Sequence, residues 1–207
     1  MATRRYEQKL RAEQSDETRR RILDAVAACL RQAPTVPVSL DEVARRAKVA
    51  RSTIYLVFGS RAGLFDAFAE DLFVRAGLPA LTEAVANPDA REHLRGSVAA
   101  ATKMLAAERD IYRVLVSMSQ LDQDSMGSIV KQREENRRGG MEYLARRLSE
   151  DGVLRDDVTV DDAVNMLWVL TSFETFDLLH TGRGLSVDET IDVIIEMAER
   201  SVCRTDA

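Results

Sequence analysis

Between Ser39 and Phe65 the chain reads SLDEVARRAKVARSTIYLVFGSRAGLF: two short amphipathic patterns broken at Lys48-Val49, then at once a third helix start. Ser39-Leu40-Asp41-Glu42 has the form of a capping box, in which a serine oxygen takes the amide three residues on and the glutamate reaches back. Leu40, Val43, Ala44 and Ala47 then share one helical face. The pattern resumes with Ile54 and Phe58, four residues apart, which predicts a helix from about Ala50 to Phe58. Gly59 is placed to end that helix and Ser60 to cap the next, which carries Leu64, Phe65, Phe68 and Leu72. The small Ala44 and Ala47 let two such helices cross closely, so the segment reads as a helix-turn-helix.

The flanks are helical too. Ile22, Leu23, Val26, Cys29 and Leu30 form a stripe at helical spacing behind an N-cap at Ser15-Asp16, and Pro34 and Pro37 mark the following loop. Residues 1–15, with Arg4, Arg5, Lys9 and Arg11, read as a flexible basic arm or a frayed helical extension. The helix starting at Ser60-Arg61 is expected to continue, bent at Gly77-Leu78-Pro79, to Asn87-Pro88. Five more are expected near residues 89–106, 109–118, 124–148, 160–180 and 187–202, and Gly139-Gly140 suggests close packing or a bend. With 4 prolines, 10 glycines and 5% aromatics set against abundant Ala, Leu, Arg and Glu, the fold class is all-α, about nine helices. The expected division is an arm at 1–15, a three-helix helix-turn-helix domain at 16–60, and a larger helical domain at 61–207, linked by the helix from Arg61.

Charge divides along the same line. Residues 1–65 hold 13 Lys/Arg and 7 Asp/Glu, a net of +6, so a total of -5 leaves -11 for the remainder. The basic third suits a polyanion and the acidic remainder does not. On the second helix of the motif, Arg51, Ser52, Thr53, Tyr55 and Leu56 point away from, or flank, the Ile54-Phe58 edge. A cation, hydroxyls and a phenol suit phosphates and base edges. Beside them, the amides opening the next helix, with Ser60 and Arg61, are placed to form a phosphate clamp. Leu56 can meet a thymine methyl or pack inward, and Val57 is expected to pack.

Residues 16–68 resemble the DNA-binding region of TetR-family transcriptional regulators, in which a helix-turn-helix leads into a Thr-x-Tyr-x-x-Phe run and then a Lys or Arg, here Thr53, Tyr55, Phe58 and Arg61. The resemblance implies phosphate contacts from Ser39, Thr53, Tyr55 and Arg61, and base contacts from Arg51, Ser52 and Leu56. It further implies a homodimer on a palindromic operator, repression as the outcome, and a C-terminal domain in which a small-molecule effector shifts the fourth helix. Two positions depart from the family pattern. Lys48 replaces a turn glycine, at about 1 kcal/mol for a left-handed non-glycine residue, and Ala50 replaces a capping serine.

In the C-terminal part, Val164, Leu167, Trp168, Leu170, Thr171 and Leu178 form one apolar surface and Ile191, Ile194, Ile195 and Met197 another. The last two helices are therefore expected to form the dimer interface, or else to fill the monomer core. Candidate walls for a largely apolar effector are Phe65, Met104, Tyr112, Met118, Met141, Tyr143, Trp168, Phe173 and Phe176, with Glu174 or His180 as polar tethers. Glu174, Asp177 and His180 recur at three-residue intervals but match no strong ligand motif, and His93 stands in a charged, solvated-looking stretch. No Gly-rich phosphate loop or nucleophile elbow occurs, so no enzyme, cofactor or metal is expected. Cys29 and Cys203 belong to no redox or metal motif. No uncharged run is long enough for a bilayer, and a cytoplasmic protein is expected. The competing reading is a helical protein-interaction module whose motif no longer reads DNA.

Overall fold

In the computed structural model, residues 2–33, 36–121 and 127–205 are described, with side chains at 6, 10, 13–33, 36–117 and 131–205. The described residues form α1 (Ala2–Gln32), α2 (Leu40–Ala47), α3 (Arg51–Phe58), α4 (Arg61–Ala76), α5 (Leu78–Val85) and α6 (Ala90–Ala107). They continue with α7 (Arg109–Leu121), α8 (Gly127–Glu150), α9 (Val160–Leu170), α10 (Phe173–Asp177), a π-helical turn at Leu178–Gly182, and α11 (Val187–Val202). The all-α class is as expected, but two of the long helices are divided. Gly77, at φ 114, ends α4, and Pro79 sits in the first turn of α5, where no helical amide is lost. The expected 160–180 helix breaks at Thr171-Ser172. There the Thr171 hydroxyl donates to the Leu167 carbonyl at 2.7 Å, Thr175 donates to the Val169 carbonyl at 2.6 Å, and Ser172 accepts the Thr175 amide at 3.1 Å. Ser15 and Asp16, read as a cap, lie inside α1, because the residues before them are themselves good helix formers.

By internal contacts the chain falls into two units, Met1–Leu72 with Arg113–Ile129, and Phe73–Tyr112 with Val130–Ala207. In the first unit, α2 packs against α1 and α3. An eight-residue helix is marginal alone, since its nucleus fixes several residues for one hydrogen bond. These two helices therefore persist by burying Leu40, Val43, Ala44, Ala47 and Ile54 alongside the α1 stripe of Ile22, Leu23, Val26 and Leu30. Arg46 adds a tie, donating to Gln32 at the end of α1 at 2.6 Å.

In the second unit, α11 packs on α6 and α9 around Leu94, Val98, Leu144, Leu148, Leu167, Ile194 and Val202. Capping boxes open α9 (Thr159 with Asp162) and α11 (Ser186 with Glu189), and Asp89 caps α6 by accepting the Arg91 and Glu92 amides. An antiparallel bridge joins Leu154 to Cys203. His93 is buried rather than solvated, 2% exposed, with Arg147 at 3.3 Å from its Nδ1 and the Tyr143 ring 5.8 Å away. Burial first, and the Arg147 charge second, push its imidazole below the ordinary pKa. Gly139 and Gly140 have open space where a Cβ would stand, so neither serves close packing. Among the described residues no helix is long and apolar enough to cross a membrane.

Candidate nucleic-acid interface

The turn between α2 and α3 is a Schellman closure. Lys48 adopts φ 55, ψ 46, its amide donates to Arg45 at 3.3 Å, and the Val49 amide reaches back to Ala44 at 3.0 Å. Lys48 is the sole non-glycine residue at positive φ among the described residues. The capping box expected at the other end of α2 does not form: Ser39 makes no side-chain cap bond. Glu42 turns instead to Arg45, at 2.8 and 2.6 Å, and Arg46, at 2.5 Å. Those hydrogen bonds, Arg45 first, hold its carboxyl down at about 2. The Arg45 fork takes both carboxylate oxygens, a bidentate pairing that leaves Glu42 turned away from the Ser39 amide. The Ser39 hydroxyl remains on the exposed surface at the mouth of α2.

Helix α3 is anchored by Ile54, fully buried, while the half-buried Phe58 lies under the Arg19 guanidinium, 5.0 Å from its ring centre. That anchor turns Arg51, Ser52, Tyr55 and Leu56 outward, with Thr53 and Val57 half-buried. Leu56 is 86% exposed, which settles it as an outward residue. Ala50 leaves the start of α3 without a side-chain cap. Arg51 does not project freely. Its Nη1 lies 3.2 Å from both Asp41 carboxylate oxygens, and its Nη2 is 3.5 Å from the Tyr55 hydroxyl.

Gly59, at φ 75, ends α3 with its amide on Tyr55 at 2.8 Å, and Ser60 caps α4 by accepting the Gly63 amide at 2.9 Å. The approach is close: a Cβ on Gly63 would meet the Phe58 carbonyl oxygen at 2.3 Å, so glycine is required there. The first amides of α4, at Arg61 and Ala62, have no intrahelical acceptor by position. Arg61 itself is partly committed, donating to the Val38 carbonyl at 3.0 Å and lying over the Phe65 ring at 5.1 Å. Sequence reasoning singled out neither Gly63 nor the role of Asp41. A glycine one turn into a helix hinted at the first; nothing local hinted at the second.

The candidate effector residues separate. Phe65 is 1% exposed and lies in the first unit; the Met118 side chain lies outside the described residues. In the second unit, Tyr112, Phe173, Phe176 and His180 form a run of ring contacts at 6.2, 6.3 and 5.2 Å. Arg137 lies 4.2 Å over Trp168, and Met141 sulfur is 3.9 Å from the Thr171 hydroxyl. Met104 is buried, 3.7 Å from where a Gly77 Cβ would stand, whereas Tyr143, 49% exposed, stands apart beside His93. His180 is occupied by the Leu185 carbonyl at 2.7 Å, Asp177 accepts from Arg109 and Thr181, and Glu174 is exposed. The apolar surfaces expected to pair between subunits mostly serve the core: Val164, Leu167, Leu170, Ile191 and Ile194 are buried. Met166, Val169, Leu178 and Met197 are the exposed large apolar residues of this part.

The family model for bacterial regulatory proteins of the tetR family matches residues 22–68. Among solved structures, the chain is similar to a TetR-like transcriptional regulator from Rhodococcus sp. RHA1, with 21% identity, TM-score 0.64, and coverage of 88% of this chain and 94% of that one. It is also similar to the fatty acid degradation regulator FadR from Bacillus halodurans, at 15% identity, TM-score 0.67, and coverage of 88% and 94%. A third is the ketosteroid transcriptional regulator KstR2 of Mycobacterium tuberculosis, at 16% identity, TM-score 0.62, and coverage of 90% and 95%. No curated protein matches the chain significantly. Residues 22–68 thus match the tetR-family model, and over most of its length the chain shares the fold of these solved regulators.

Proposed function

We propose that this chain is a transcriptional repressor that binds a two-fold related operator as a homodimer and is released by a small apolar effector. The observation that carries the reading is α3: a short helix pinned by buried Ile54, with Arg51, Ser52, Tyr55 and Leu56 on its exposed side. Arg51, Ser52 and Leu56 face base edges, while Ser39, Thr53, Tyr55, Ser60, Arg61 and the first amides of α4 hold phosphates. The reading implies a cytoplasmic protein, with reading head at 16–60 and effector and dimer functions beyond.

One reading head spans too few base pairs for useful discrimination, and two held about 34–36 Å apart would read successive major grooves. The exposed Met166 and Val169 of α9, with Leu178 and Met197, support a dimer through this end of the chain. Effector contact is assigned to Tyr112, Trp168, Phe173, Phe176, Met104 and Met141, an apolar and adaptable set. That regulators of the same fold are named for fatty acid degradation and for ketosteroids supports a largely apolar ligand class.

The test is selection of duplexes from random sequence by the full chain, with sedimentation of the protein at micromolar concentration. A two-fold related consensus bound by a dimer is expected. A strictly monomeric protein that enriches no sequence would overturn the reading in favour of a protein-interaction module.

A further inference from the structure

Arg51 is held from two sides by residues on different helices. Asp41, in the first turn of α2, sets both carboxylate oxygens 3.2 Å from its Nη1, and Tyr55, one turn along α3, lies 3.5 Å from its Nη2. The guanidinium carbon is 6.0 Å from the Tyr55 ring centre. A free arginine loses several rotatable bonds' worth of freedom when it docks on a base; one already restrained loses less. Both partners are exposed, 53% for the Arg51 side chain and 72% for Asp41, so the pair contributes little to folding. The Asp41 carboxylate stands instead exposed on α2 beside Arg51, where it opposes any polyanion that meets α3.

We propose that Asp41 is a specificity-determining positioning residue. It restrains the Arg51 guanidinium for base readout, and its negative charge weakens binding to any duplex whose base edges do not engage Arg51. This rests on the DNA-binding reading above. Where Arg51 meets a matching base, the fork keeps its geometry and the charge cost is offset; elsewhere only the cost remains.

The experiment measures affinities of the full chain for its selected duplex and for a scrambled duplex of equal length. Wild type, Asp41→Asn, Asp41→Glu, Arg51→Ala and the Asp41→Asn/Arg51→Ala double variant are compared, with a thermal melt of each. Asp41→Asn should tighten scrambled binding by about threefold to thirtyfold in a dimer, from roughly 1 kcal/mol per removed like charge, and should narrow the selected-to-scrambled ratio. Asp41→Glu should restore the ratio, and in the Arg51→Ala background the same Asn change should leave the ratio alone while raising both affinities together. An unchanged ratio in Asp41→Asn, or an equal change with Arg51 absent, overturns the inference while leaving the DNA-binding reading intact. Absence of salt-sensitive binding by wild type to either duplex overturns both.

Discussion

Lys48 at φ 55, ψ 46 offers a test whose sign depends on the turn between α2 and α3. A residue with a Cβ costs about 1 kcal/mol in this left-handed conformation, whereas glycine adopts it freely. In a helix interior the order reverses, with glycine about 1 kcal/mol worse than alanine. Lys48→Gly and Lys48→Ala remove the same ammonium, so the difference between them isolates the backbone. The Schellman closure predicts Lys48→Gly about 1 kcal/mol more stable than Lys48→Ala, near 2–4 °C in Tm for a chain of this size. The assay is thermal and urea unfolding of both variants at matched protein concentration, read by far-ultraviolet circular dichroism. If Lys48→Ala were the more stable by a similar margin, residues 40–58 would be one continuous helix, and the orientation of α3 argued above would fail.

Gly63→Ala should destabilise by about 1–3 kcal/mol, because its methyl would stand 2.3 Å from the Phe58 carbonyl oxygen and must force α3 from α4; chemical denaturation measures it. Ser60→Ala should cost about 1 kcal/mol through loss of the bond to the Gly63 amide, whereas Ser39→Ala, with no cap bond to lose, should leave stability unchanged in the same assay. His93 has a lowered folded pKa, so the unfolded chain takes the proton first as pH falls. Stability should be flat in this group above about 6.5 and decline below it, and His93→Gln should lessen that decline in denaturation series across pH.

What was legible in the sequence was local. Lys48, Gly59 and Ser60 were placed correctly because a turn and a cap depend on residues within four positions of one another. The buried face of α2 followed from periodicity for the same reason. The capping box at Ser39 failed because its signature ignores rivals, and Arg45 and Arg46 both engage Glu42. Partners distant in sequence were invisible: nothing near residue 41 announces Arg51, nothing near residue 61 announces the Val38 carbonyl, and nothing near His93 announces Arg147. The apolar faces of α9 and α11 were recognised, but periodicity does not tell a core from an interface, and most of those residues proved to be core.

The account stands on α3 entering a major groove. Methylation interference on the selected duplex probes this directly, since dimethyl sulfate marks guanine N7 in the major groove and adenine N3 in the minor. The account predicts two clusters of guanines whose methylation blocks binding, centred about 10–10.5 base pairs apart or a multiple of that. It also predicts that Arg51→Ala makes binding indifferent to methylation at one guanine in each cluster. Interference confined to adenine N3, or none at any guanine, would contradict it.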